Sequence, residues 1–169
     1  MKKTLALILA AMLCLCAIPA MAEANDTLTI DLVENGAWVP FTDYNMQICL
    51  PSDWNVLQLT EEQTASGVIF SCANPESTRS FTLAYTEFEE ATDLDTVAAQ
   101  LAEAYTDVQM LTINDIPFVT YTVAENDVTG LATLGGSGIG TYQFVFYPAS
   151  DADYGTLAVQ IAASISAIE

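Results

Sequence analysis

Short runs of alternating apolar and polar residues, separated by turn residues, dominate this sequence and limit it to a sheet-rich fold. Leu28, Ile30 and Leu32 alternate with polar residues and predict a strand over residues 27–33. Because the connections between most runs are short, neighbouring strands should pair as antiparallel hairpins. Similar patterns predict further strands over residues 44–50, 55–59, 68–72, 80–88, 108–113, 117–124, 128–134 and 141–147.

Turn residues mark the ends of these strands. Asn114 and Asp115 are a pair that tolerates a tight hairpin turn. Residues 135–140 are rich in glycine, but a strand follows them and lysine is absent, so they predict a hairpin loop and not a phosphate-binding loop. Thr60 and Gln63 have capping-box spacing, which predicts a short helical turn ended by Gly67.

Two segments have the helical period instead. Residues 93–105 carry one apolar face, and Asp93 and Asp95 complement the positive N-terminal end of that helix. Ser150 is expected to be the N-cap of the last helix, with Asp151 and Asp153 in its first turn. The stripe that should pack this helix on the sheet is formed by Tyr154, Leu157, Ala158, Ile161, Ile165 and Ile168.

The order of strands, helix, four strands and helix indicates an α+β fold, with a largely antiparallel sheet packed against two main helices. Three features make the chain resemble the PsbP-like superfamily of α/β/α sandwiches. They are the turn Leu50-Pro51-Ser52-Asp53-Trp54, the hairpin between Ile113 and Phe118, and the helix that directly follows the last strand. The resemblance implies a binding or assembly module, as for the bacterial exported members of unassigned role, and it carries over no catalytic residue.

The N-terminus has the pattern of a cleaved export signal. Lys2 and Lys3 precede an apolar run over residues 4–19, and Ala20-Met21-Ala22 fits a signal-peptidase site. A lipid anchor on Cys14 or Cys16 is the alternative, but the leucines that precede them are unusual for it. We therefore expect a signal peptide over residues 1–22 and a single domain over 23–169, secreted or held in the cell envelope and free of the membrane after cleavage.

The mature chain is strongly acidic and almost without cations. Arg79 is its one basic residue against 22 acidic residues, a formal charge of −21, and histidine is absent. Binding to nucleic acid or anionic lipid needs cations, so both are disfavoured. The usual nucleophile–base triads are excluded because no histidine or lysine is present to act as the base.

The densest acidic segment is the first candidate site. Its carboxylates could provide oxygen ligands for calcium, or they could be a solvated loop that leads into a helix N-terminus. No other cofactor is expected. The five residues of this segment are Glu87, Glu89, Glu90, Asp93 and Asp95.

Single residues supply the other candidates. Arg79 could anchor an anionic ligand, although a surface position beside carboxylates is the plainer interpretation. Trp38 is the better candidate for an exposed stacking surface and Trp54 should cover the core, although partial burial is the plainer interpretation of each tryptophan. Cys49 and Cys72 could form a disulfide in an exported protein, or they could be two buried free thiols.

These features together predict an exported, non-catalytic interaction module. Its partner would be another envelope or extracellular protein, or a cationic ligand, and the module itself is expected to be a monomer. The alternative is a calcium-dependent or carboxylate-based extracellular hydrolase.

Overall fold

The computed structural model describes residues 27–135 and 138–168. Its helices are α1 (Glu61–Ala65), α2 (Leu94–Ala104) and α3 (Ala152–Ala163). The signal peptide predicted over residues 1–22 lies outside the described residues. The strands are β1 (Thr27–Leu28), β2 (Gly36–Phe41), β3 (Met46–Pro51), β4 (Asn55–Val56), β5 (Val68–Ala73), β6 (Ser80–Glu87), β7 (Thr106–Ile113), β8 (Ile116–Val123), β9 (Val128–Leu134), β10 (Gly140–Tyr147) and β11 (Ser166–Ala167).

Two sheets organise these strands. The central sheet has eight strands in the order β1-β7-β8-β9-β10-β6-β5-β4, and the smaller sheet has three in the order β11-β3-β2. All pairs are antiparallel except β1 with β7. The expected α+β fold with a largely antiparallel sheet is therefore confirmed.

The larger core lies between the central sheet and a layer made of α3 and the smaller sheet. From the central sheet, β6 and β10 contribute Phe81, Leu83, Phe144 and Phe146, which are fully buried. The covering layer contributes Ile48 from β3, and from α3 it contributes Tyr154, Ala158 and Ile161.

The opposite face of the central sheet carries α2. Leu94, Val97 and Leu101 of this helix pack against Val119 and Tyr121 of β8. Asp93 caps the helix, because its side chain accepts a hydrogen bond from the Thr96 amide at 2.7 Å. The helix predicted over residues 93–105 is thus confirmed, and helices on both faces make the α/β/α arrangement.

The predicted hairpins form as expected. Asn114 and Asp115 both have positive φ, 47° and 65°, as a tight two-residue turn between β7 and β8 requires. The glycine-rich segment lies between β9 and β10, which pair with each other. Residues 136 and 137 of this segment are not described. Thr60 and Gln63 form the predicted capping box of α1.

The first strand is much shorter than predicted. Pairing in β1 stops at Leu28, and the prediction of a strand over residues 27–33 was wrong beyond that point. The side chain of Asn114 forms hydrogen bonds to the Ile30 backbone, in place of those that a paired strand partner would form. Its amide accepts from Ile30 N at 2.8 Å and donates to Ile30 O at 3.0 Å.

Three other strands also differ from the prediction. The strand expected over residues 55–59 pairs only at β4. The strand expected to begin at Tyr44 begins at Met46, because residues 42–44 form a 3₁₀ turn and Asn45 has a positive φ of 48°. The strand β2 was not predicted, since Gly36 and Pro40 interrupt its alternation.

The last helix was placed wrongly at both ends. Its N-cap is Asp151, whose Oδ1 accepts from the amides of Asp153 and Tyr154 at 3.1 Å, whereas the predicted cap Ser150 bonds to Asp127 instead. The helix ends at Ala163. Ile165 and Ile168 lie outside it, on either side of β11, which pairs with β3.

Candidate functional site

An open groove lies where the end of the central sheet meets the edge of the smaller sheet. Its volume is about 1020 Å³. Strands β6, β9 and β10 provide its floor, and the 3₁₀ turn before β3 and the strand β11 provide its wall. We call it the tyrosine groove, after its residues Tyr44, Tyr85 and Tyr142.

The three tyrosine rings form one cluster. Tyr85 and Tyr142 are directly paired across β6 and β10, with ring centroids 5.1 Å apart. Tyr44 meets the Tyr85 ring edge-on at 5.0 Å and lies 6.4 Å from the Tyr142 ring. The Tyr142 hydroxyl donates to the carbonyl of Tyr44 at 3.2 Å, which ties the turn to the floor. Edge-to-face pairs of this kind are favourable, so the cluster is held in place.

Gly140 makes room for one of these rings. A Cβ atom at this position would overlap the ring and hydroxyl of Tyr85. Gly130 has the same relation to Tyr121, but on the sheet face that carries α2. Glycine in a strand interior often marks such a close approach. The two glycines are therefore a matched pair, one beneath the groove and one remote from it.

Two carboxylates flank the tyrosines. Asp43 precedes Tyr44 in the 3₁₀ turn and Glu87 follows Tyr85 on the same face of β6, and both side chains are exposed. Burial, and then the negative charge of Glu87, raise the pKa of Tyr85. Burial is also the main reason why the pKa of Tyr142 is raised. Both phenols are accordingly neutral at physiological pH. Tyr142 is buried and Tyr44 and Tyr85 are partly exposed, so this end of the groove presents tyrosine side chains and negative charge.

The opposite end of the groove is apolar. Ile116 from the start of β8 and Ile165 before β11 line it, and both are partly buried. Leu134 also borders the groove, but its side chain packs against the core under α2 on the other face of the sheet. Thr133 lies between the two ends, where its hydroxyl donates to the carbonyl of Pro117 at 2.7 Å. The groove therefore changes from acidic and aromatic to apolar along its length.

The structure spreads the five residues of the acidic segment. Glu87 ends β6, Glu89 and Glu90 lie in the connection that follows, and Asp93 and Asp95 belong to the start of α2. The hydrogen bonds from Thr96 lower the pKa of Asp93, which acts as a cap. Over residues 27–135 and 138–168, no group of three or more acidic or cysteine side chains could hold a metal ion. Calcium binding stays a prediction, which calorimetric titration with calcium would test.

Arg79 lies at a distance from the groove, beside the N-terminus of α3. Its Nη2 and Nε atoms both lie 2.7 Å from Oδ2 of Asp151, and its guanidinium is 5.5 Å from the centre of the Tyr154 ring. The Tyr154 hydroxyl donates to the carbonyl of Ser80 at 2.8 Å. These contacts favour a structural role for Arg79 over the anion anchor that the sequence left open.

The two tryptophans lie in different surroundings. Trp38 is 46% exposed on the outer face of β2, and Trp54 packs on the core with its ring 5.8 Å from that of Tyr154. Neither of them lines the tyrosine groove.

The two cysteines are buried free thiols and are not bridged in this structure. Cys49 pairs with Trp38 on the outer face of the smaller sheet, and Cys72 pairs with Phe81 toward the larger core. Burial raises the pKa of both thiols, that of Cys72 to about 12. They are therefore protonated and poorly nucleophilic.

The groove tyrosines are residues that sequence reasoning missed as a set. Tyr44, Tyr85 and Tyr142 lie far apart in the chain and each fits an ordinary strand pattern. A signal was present in Gly140, because a glycine within a strand can mark the close approach of an aromatic ring. That signal becomes specific only once the register of β6 against β10 is known.

The fold is PsbP-like. The structure of the chain is similar to the solution structure of cyanobacterial PsbP (CyanoP) from Synechocystis sp. PCC 6803, with a TM-score of 0.57 and 12% identity over 91% of this chain and 99% of that one. A crystal structure from Bacteroides thetaiotaomicron VPI-5482 is also similar, with a TM-score of 0.51 and 18% identity over 74% of this chain and 46% of that one.

No family model matches the sequence, and no curated protein matches it either. At these identities the two structural likenesses define the fold and leave the activity to be argued from the site. None of the described helices is both long and apolar enough to cross a bilayer.

Proposed function

We propose that this protein is an exported, non-catalytic binding module of the cell envelope or extracellular space, and that the tyrosine groove is its binding surface. One observation carries the proposal. Three tyrosine rings and two carboxylates converge on one groove, while the single arginine of the mature sequence is paired with Asp151 elsewhere.

The chemistry of the groove suits a positively charged group. A cation over an aromatic face gains about 0.5–2 kcal/mol, the larger value where water is excluded. Asp43 and Glu87 add Coulomb attraction at the same end of the groove. The anionic surface as a whole attracts cations toward it and repels anions. A cationic ligand, or a partner protein that presents one, is therefore the ligand class we propose.

Catalysis is not part of this proposal. Tyr85 and Tyr142 have raised pKa values and are protonated at neutral pH, so neither is a ready nucleophile or base. The alternative hydrolase would be supported by carboxylates that converge in a deep pocket. Asp43 and Glu87 are exposed on the rim of an open groove, which does not favour that alternative.

Titration with tetramethylammonium chloride tests the proposal, with potassium chloride at equal ionic strength as the control. We expect the ring resonances of Tyr44, Tyr85 and Tyr142 to shift in two-dimensional NMR spectra, and the potassium control to leave them unchanged. Gly140→Ala, which displaces the Tyr85 ring, should weaken the effect, whereas Gly130→Ala should preserve it.

A second pair of variants separates local charge from net charge. Glu87→Gln in the groove should weaken binding, and Glu103→Gln on the exposed face of α2 should not, although both remove one negative charge. Saturable shifts that are equal in Gly140→Ala and in the wild type, or no shifts at the groove tyrosines, would refute the proposal.

A further inference from the structure

We infer that the natural occupant of the tyrosine groove is an extended segment of a partner protein, which carries a lysine or arginine side chain and an apolar side chain about four residues apart. The cationic side chain lies at the Tyr44 and Tyr85 end, and the apolar side chain lies at the Ile116 and Ile165 end. The inference rests on the proposed function and adds to it the identity of the ligand class.

The length of the groove is the first argument. Its floor crosses the central sheet from Tyr85 on β6, through Tyr142 on β10 and Thr133 on β9, to the start of β8 at Ile116. Three inter-strand steps of about 4.8 Å span about 14 Å. An extended chain rises about 3.3 Å per residue, so about four residues cover that distance. A small free cation would occupy only one end.

The difference between the two ends is the second argument. Asp43, Glu87 and the tyrosine rings favour a positive charge, whereas Ile116 and Ile165 offer apolar surface. A ligand that fills both ends must be cationic at one end and apolar at the other. A protein segment with a basic and an apolar side chain has this pattern, which is absent from a simple ammonium ion.

The wall of the groove supplies the third argument. β11 is the edge strand of the smaller sheet, and its residues Ser166 and Ala167 are exposed and line the groove. An edge strand presents backbone N–H and C=O groups that its own sheet leaves unpaired. An extended segment has backbone groups of its own to pair with them, and recognition of extended peptides commonly uses such an edge.

Charge complementarity selects the kind of partner. One arginine faces 22 acidic residues in the mature chain, so a second copy of this protein would be repelled. A basic segment is drawn toward the same surface, and this attraction weakens as salt screens it. The occupant is thus a basic segment of another protein and not a second copy of this chain.

Four capped octapeptides test the inference by NMR titration of the full mature protein. The parent peptide carries one lysine and one leucine four positions apart in a glycine and serine background. In the others the lysine is acetylated, the leucine is replaced by glycine, or the two residues are adjacent. We expect the parent peptide to bind at least about threefold more tightly than each of the others.

The protein variants locate the binding. Gly140→Ala should reduce the affinity for the parent peptide at least about threefold, and Gly130→Ala should leave it unchanged. The affinity should also fall between about 20 mM and about 300 mM ionic strength, because the charges are exposed.

The outcomes separate this inference from the proposed function. If tetramethylammonium shifts the groove tyrosines and the four peptides bind equally, the cation site stands and the two-ended segment is wrong. If the leucine has no effect, or if the adjacent spacing binds as well as the parent, the inference is likewise overturned. If neither tetramethylammonium nor any peptide perturbs the groove, both proposals fail together.

Discussion

The contact between Arg79 and Asp151 should stabilise the fold, because it connects two segments that are far apart in the sequence. Oδ2 of Asp151 accepts a hydrogen bond from Nε of Arg79 and lies 2.7 Å from its Nη2, and Oδ1 of Asp151 caps α3. The side chains are 31% and 29% exposed, so solvent screens the ion pair only in part. Arg79 joins the β5–β6 connection to the helix that covers the larger core.

A double-mutant cycle isolates the ion pair. Arg79→Ala removes both the ion pair and the contact of the guanidinium with the Tyr154 ring. Asp151→Asn removes the charge and keeps an oxygen that can cap the helix. We expect a coupling energy of about 1 kcal/mol, the upper end for partly exposed pairs. Adding about 0.5–1 kcal/mol for the ring contact, Arg79→Ala should lose about 2 kcal/mol, or roughly 4–8 °C in Tm.

Denaturant unfolding at several pH values measures this effect. The hydrogen bond from Arg79 is the main reason why the pKa of Asp151 is lowered in the folded state. The pair therefore contributes fully above the unfolded pKa of about 3.9, and its contribution is lost as the pH falls through the folded-state pKa. The coupling energy should be constant from pH 7 to about pH 5 and shrink below about pH 4.

A control removes the effect of net charge. Gln100→Glu adds one negative charge on an exposed position of α2, the same change in net charge as Arg79→Ala. Any loss of stability that both variants share comes from general repulsion and is subtracted. Additive single-variant effects at pH 7, or a coupling energy that persists unchanged at pH 3, would show that the ion pair does not stabilise the fold as reasoned.

Other predictions concern buried polar groups. The hydroxyl of Thr141 is buried without a hydrogen-bond partner among the described residues, so Thr141→Val should raise the free energy of unfolding by about 1 kcal/mol. Thr133→Val should lower it by a similar amount, because the Thr133 hydroxyl donates a hydrogen bond to Pro117. Chemical denaturation of the two variants compares these effects. Asn114→Ala should lose about 1–3 kcal/mol in the same assay, since it removes two bonds to Ile30 at a left-handed position. Because its pKa is raised to about 12, Cys72 should resist iodoacetamide at pH 8 until urea unfolds the protein, as mass spectrometry would record.

The parts of the fold that depend on local pattern could be predicted from the sequence. Period-two alternation identified β5 to β10 to within a few residues, and helical spacing identified α2. Elements that depend on distant partners could not be placed. β1 ends early because Asn114, some 84 positions away, replaces its continuation, and α3 begins one residue late because Asp127 engages Ser150. Both effects come from side chains that bond to another segment, which no local pattern records.

The tyrosine groove could not be predicted for a related reason. Its aromatic end depends on the register that places Tyr85 opposite Tyr142, and on a turn that brings Tyr44 to them. Its apolar end depends on Ile165 leaving the helical stripe to which its spacing assigned it. The sequence did identify the negative charge, which is the one property of the site that does not depend on folding.

Negative charge and aromatic surface act over different distances, so they would contribute differently to the proposed binding of a basic segment. The formal charge of −19 over the whole sequence acts over about a Debye length of 8–10 Å and raises the local concentration of any cation, without distinguishing one from another. The tyrosine rings act only on a group in contact with them, at the 5–6 Å range where ring faces attract cations. Salt should therefore weaken binding of every basic segment alike, whereas the spacing of lysine and leucine should decide which segment is retained. Selectivity that survives at high salt would place recognition in the groove, and selectivity lost together with affinity would place it in the surface charge alone.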